Sequence, residues 1–111
     1  MKTKQTRNSL IELWKKRILA EKEIPAADAR QMAEKIMNLI HHMRDGYVII
    51  AYYKQNGAFC MEKATLMNYE KEFHRKFEIE QILNTITYWS FERNGWRTFK
   101  MENFLEWEEF V

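Results

Sequence analysis

The chain has 111 residues, 46% hydrophobic and 14% aromatic, with a net charge of +2. That length suits one domain with a core of its own, and the composition excludes a disordered chain. A single cysteine, Cys60, excludes an internal disulfide and a CxxC site, and no apolar run is long enough to span a bilayer.

The opening MKTKQTRNSL is charged and has no apolar run behind it, so no secretory signal is expected and the protein reads as cytoplasmic. Lys2, Lys4, Arg7, Lys15, Lys16, Arg17 and Lys22 make a basic head. Glu102, Glu106, Glu108 and Glu109 make an acidic tail. A basic head attracts phosphates, or it is simply a solvated helix face.

Ser9-Leu10-Ile11-Glu12 has the form of a capping box. Leu10, Ile11, Trp14 and Ile18 follow at helical spacing, so a first helix is expected to end before Pro25. If this stripe is left uncovered, it is a dimer or partner site. The second helix opens near Pro25 and Asp28. It carries the stripe Ala29, Met32, Ala33, Ile36, Leu39, Ile40 and Met43, and Gly46 is its natural stop.

After Gly46 the period falls from 3.6 to 2. YVIIAYYK reads as a strand, Asn56-Gly57 as a hairpin turn and AFCMEKATL as the return strand. The charged segment 67–81 reads equally as a short helix or an ordered loop. ILNTITYWSFE, a turn at Asn94-Gly95, and WRTFK give two further strands. MENFLEW gives a tight helical turn and a last strand. The expected architecture is α+β: an N-terminal helical pair (1–45), then a small five-stranded antiparallel SH3-like/Sm-like β-barrel (46–111), in one domain (1–111).

The succession of an aromatic strand, a tight turn, Trp96-Arg97-Thr98-Phe99-Lys100 and an Asn103-Phe104 turn resembles the Sm-like/SH3-like barrels related to the WYL domain of bacterial regulators. The YYKQNGAF hairpin resembles their first hairpin, and the likeness runs over roughly residues 47–110. The Trp-Tyr-Leu tripeptide that names the larger family is absent; Leu83-Asn84-Thr85 stands near its place. The resemblance implies a ligand-sensing, non-enzymatic module for nucleic acid or nucleotides, with Arg97 and Lys100 as the positions carried over. It also implies kinship with bacterial proteins tied to mobile elements.

Strand alternation puts Trp96 and Thr98 on one face, Arg97 and Phe99 on the other. With Trp96 inward, Arg97 and Phe99 face outward, and an exposed arginine beside an aromatic holds a phosphate and stacks a base. With Phe99 inward, it is core and Arg97 a solvated edge residue. The candidate binding residues are Arg97, Lys100, Phe99 and Tyr52, the last from the consecutive pair Tyr52-Tyr53.

No catalytic residue, metal ligand set or cofactor is expected. His41 and His42 point about 100° apart on a helix, and Cys60 has no neighbouring base. No phosphate-binding glycine loop is present. Two functions remain open: a nucleic-acid or nucleotide module using a basic, aromatic barrel face, or a partner-binding or mobile-element accessory protein acting through the helical pair or a strand edge.

Overall fold

In the computed structural model, which describes residues 6–110, Thr6 opens the first helix. Its hydroxyl accepts from the Ser9 amide at 3.1 Å, so α1 (Arg7–Glu21) starts ahead of the Ser9 cap read from the sequence. The capping chemistry is as expected, but it operates three residues earlier. Lys2 and Lys4 of the basic head lie outside the described residues.

Helix α2 (Ala26–Asp45) follows Pro25, whose carbonyl accepts from the amides of Asp28 and Ala29. Gly46 ends it differently from the expected left-handed stop: its φ is −176°, ordinary extended backbone. The stop comes from a distant residue. The Thr65 hydroxyl lies within hydrogen-bonding distance of the carbonyls of Gly46 (2.7 Å) and Met43 (3.1 Å), and the Leu66 amide donates to Met43. The loose carbonyls of the helix end are satisfied by the return strand of the sheet.

The strands are β1 (Val48–Tyr53), β2 (Phe59–Thr65), β3 (Thr85–Ser90), β4 (Gly95–Lys100) and β5 (Phe104–Glu109). They form one antiparallel sheet in the order β4-β3-β2-β1-β5. The β1–β2 turn is longer than a two-residue hairpin. Lys54 and Ala58 close it, with Gly57 at φ +86°, a conformation glycine adopts without penalty. Asn94 takes the left-handed position of the β3–β4 turn, and Gly95 begins the strand. The ambiguous charged segment holds a short helix, α3 (Tyr69–Phe73), and a 3₁₀ turn at Ile79–Gln81. A second 3₁₀ turn, Met101–Asn103, carries the chain from β4 to β5. Those two strands do not pair, so the sheet curls like a small barrel without closing.

Helices and sheet share one core. Leu10, Ile11, Trp14 and Ile18 of α1 are all buried in it, so the first helix offers no uncovered apolar stripe to a partner. The basic head is largely tied down. Arg17 donates to the carbonyls of Ile82 and Leu83, Lys22 to that of Glu102, and Arg7 to Asn38. The acidic tail is held against α2 by Lys35–Glu106 and His42–Glu109, each at 2.8 Å. Among the described residues, no helix is long and apolar enough to cross a membrane.

Candidate functional site

The register decides which side chains meet. Tyr52 faces Cys60, Ile50 faces Glu62, Tyr88 faces Arg97 and Ile86 faces Phe99. Alternation puts all eight on the concave side of the curled sheet. Arg97 and Phe99 therefore do share a face, but that face is the inner one. Phe99 is 4% exposed, stacked on Tyr52 at 4.8 Å and lying 6.0 Å from Phe104. Of the two orientations the sequence leaves open, Phe99 takes the inward one: the ring is core, because the open barrel buries its inner aromatics, and it is not the exposed stacking platform of the other reading. Tyr52 is buried too.

Beside these rings lies a groove of about 460 Å³, between β4 and the end of β1 with its following turn. Tyr52 and Phe99 contribute to its lining, and Arg97 and Lys100 stand half-buried along it. The four residues singled out in the sequence thus meet at one place: two cations and two buried aromatic rings. Lys54 and Arg93 add two more cations, and no carboxylate among the described residues lines the groove. Asn103 bonds Gln55 at 3.3 Å, tying the β1–β2 turn to the 3₁₀ turn that follows β4.

Arg93 is the residue that sequence reasoning missed. It projects from the β3–β4 turn onto the buried carboxylate of Glu62. Its Nε donates to both Glu62 oxygens at 3.0 Å, and its Nη2 reaches Glu62, Tyr88 (3.0 Å) and Tyr52 (3.2 Å). Nη1 has no hydrogen bond among the described residues, and Arg93 is one of the residues lining the groove. Glu62 also accepts from Ser90, from Tyr88 at 2.9 Å and from Cys60 at 3.2 Å. Since the Tyr88 proton goes to Glu62, the Tyr52 hydroxyl donates to Tyr88, at 2.6 Å.

The electrostatics follow from this geometry. Burial alone raises the pKa of Glu62, but hydrogen bonds from Arg93, Ser90, Tyr88 and Cys60 outweigh it and hold the carboxyl at about 2. Burial pushes the Tyr52 and Tyr88 hydroxyls and the Cys60 thiol upward. Cys60 is thus a protonated donor in the network, in keeping with its structural reading. Arg97 lies back along its own strand and donates to the Trp96 carbonyl at 2.9 Å. A side chain at position 95 would put its Cβ 2.8 Å from Arg97 Nη1, so Gly95 makes room for that guanidinium.

Two of the four cations are delivered with their heads arranged. A family model for WYL_2, an Sm-like SH3 β-barrel fold, matches residues 36–105, more than half of the chain. The chain belongs to this family. The match begins inside α2, earlier than the resemblance over 47–110, and takes in the whole of β1 to β4, every groove cation and the Glu62–Arg93 pair. No curated protein and no solved structure matches the chain. In this WYL_2 member the groove lies beside β4, where the barrel is left open.

Proposed function

We propose that this protein is a non-enzymatic, regulatory binding module whose groove holds an anionic ligand, a nucleic acid or a nucleotide. One observation carries the reading: Lys54, Arg93, Arg97 and Lys100 line a single groove to which no carboxylate among the described residues contributes. Arg97 and Lys100 supply charge that phosphates attract. Arg93 supplies a guanidinium already fixed in place, so less ordering entropy is lost on binding. Membership of an Sm-like family, a fold of the binding-module kind, supports the same reading. The cytoplasm is its proposed setting, and a mobile-element association belongs to the same proposal.

Fluorescence anisotropy tests it, with labelled single-stranded DNA, duplex DNA and RNA at low and moderate salt. Binding that weakens with salt and is lost in Arg97→Ala/Lys100→Ala is the expected result. No binding to any of the three at low salt overturns it. A protein partner is the second reading, favoured by Tyr53, Phe59 and Met61, which stand exposed on the outer face of the β1–β2 hairpin. It predicts no nucleic-acid binding and a stable complex that Phe59→Ser/Met61→Ser dissociates.

A further inference from the structure

A second cavity, also about 460 Å³, lies under the segment that joins β2 to β3. Arg75 and Lys76 stand exposed on it and Glu78 is its one carboxylate, so its lining is net positive. Neither cation has a salt-bridge partner within 4 Å among the described residues. Arg75 donates to the Tyr69 hydroxyl at 3.1 Å and lies over that ring at 5.9 Å. Phe77 meets the same ring edge-on at 5.2 Å. A cation beside an aromatic platform is the combination that tracks a single strand, phosphate by phosphate and base by base.

The two cavities adjoin at β3. Thr85 lines both. Thr87 lines the second cavity and its cross-strand partner Thr98 lines the groove. Paired strands are about 4.8 Å apart, so this threonine pair brings the two linings within one strand spacing of each other. The hydroxyls along it are hydrogen-bonding groups with no charge of their own to repel a phosphate chain.

We infer that Arg75 and Lys76 form a second phosphate subsite, and that groove and cavity together make one track across β3 and β4 for a single-stranded nucleic acid longer than a dinucleotide. The inference rests on the groove reading and specifies its ligand: a single strand rather than a duplex or a free nucleotide. A duplex is too wide to follow a path that bends around one strand edge, whereas single-strand sites on small barrels start at about four nucleotides.

The test is anisotropy with labelled thymidine dinucleotide, single-stranded oligothymidylate of about twelve residues, in keeping with known site sizes, and a duplex, over a salt series. Proteins are wild type, Arg75→Gln/Lys76→Gln and Arg97→Ala/Lys100→Ala. Lys76→Gln alone keeps the Arg75–Tyr69 contact and serves as the variant least able to disturb the fold. The longer strand is expected to bind wild type more tightly than the dinucleotide. Arg75→Gln/Lys76→Gln should remove that gain and lower the slope of log affinity against log salt by about 1.4, two phosphate contacts on a single strand. Lys76→Gln should lower it by about half as much. Dinucleotide binding should survive these changes and vanish in Arg97→Ala/Lys100→Ala. If the position-75/76 variants bind the longer strand as wild type does while Arg97→Ala/Lys100→Ala does not bind, the second subsite is overturned and the groove reading stands. Preference for the duplex overturns the track in the same way. Absence of all binding by wild type overturns both.

Discussion

Glu62→Gln isolates the buried network from the groove above it. The carboxyl titrates at about 2 in the folded protein against an ordinary 4.5, and that gap converts to about 3 kcal/mol of stability at neutral pH. The figure suits a site 4% exposed, where Arg93, Ser90, Tyr88 and Cys60 all donate to one carboxylate. Glutamine keeps the size and loses the charge, leaving Arg93 against a neutral amide. Breaking such a pair from one side costs about 3–5 kcal/mol. Because the folded pKa is depressed, the stabilisation is complete above the unfolded value and is lost as pH falls from about 4.5 to about 2. Urea unfolding of wild type and Glu62→Gln, at neutral pH and at several points down to pH 2, reads both effects. The variant should be about 3 kcal/mol less stable at neutral pH, and the difference should shrink through the acid range. A difference below about 1 kcal/mol, or one that does not change with pH, refutes the assignment of Glu62 as an ionised, fully bonded anchor.

Three further changes probe other links. Phe99→Ala removes a ring stacked on Tyr52 and should cost about 3–5 kcal/mol in a urea titration, as a core truncation does; an unchanged midpoint would return the ring to the surface. Thr65→Val keeps the volume but removes the hydroxyl that bonds the Met43 and Gly46 carbonyls and accepts from the Met67 amide. It should cost about 2 kcal/mol, measured by chemical denaturation followed by far-ultraviolet circular dichroism. Gly95→Ala puts a methyl 2.8 Å from Arg97 Nη1 and displaces the guanidinium from its Trp96 carbonyl. Anion affinity by anisotropy should fall roughly tenfold, the worth of one charged hydrogen bond, with stability within about 0.5 kcal/mol of wild type.

Most of the element order is legible in the residues themselves. The helices declare themselves by apolar spacing, and Asn56-Gly57 and Asn94-Gly95 each mark a turn between strands. The ends are less legible, because distant groups set them: Thr65 closes α2 from the far side of the β1–β2 hairpin. The candidate site was half legible. Alternation pairs Arg97 with Phe99, but it cannot say whether their shared face is concave or convex; the curl of the sheet decides that. Arg93 was invisible because it lies in a turn, 31 residues from its partner. A signal was present at the other end of that pair. Cys60, Glu62 and Ala64 share a face in FCMEKAT, and a carboxylate on a core face requires a cation or several donors.

The small net charge of +2 does not weigh against an anion site, because no carboxylate among the described residues lines the groove. Glu12 pairs with Lys15 and Arg30, Glu106 with Lys35 and Glu109 with His42, all away from the groove. Glu62 lies below it and is occupied by Arg93. What faces the groove is therefore a local excess of cations that the total conceals, and field at a half-buried site depends on local charge once distant charges are screened. The division of labour is physical. Glu62 cancels most of the charge of Arg93 and in exchange fixes its direction, the Trp96 carbonyl holds Arg97 without cancelling its charge, and Lys100 and Lys54 keep both charge and freedom. Salt should accordingly weaken binding through the free cations. Glu62→Gln, which leaves those three in place, should alter the fit of a ligand more than the salt slope of its binding.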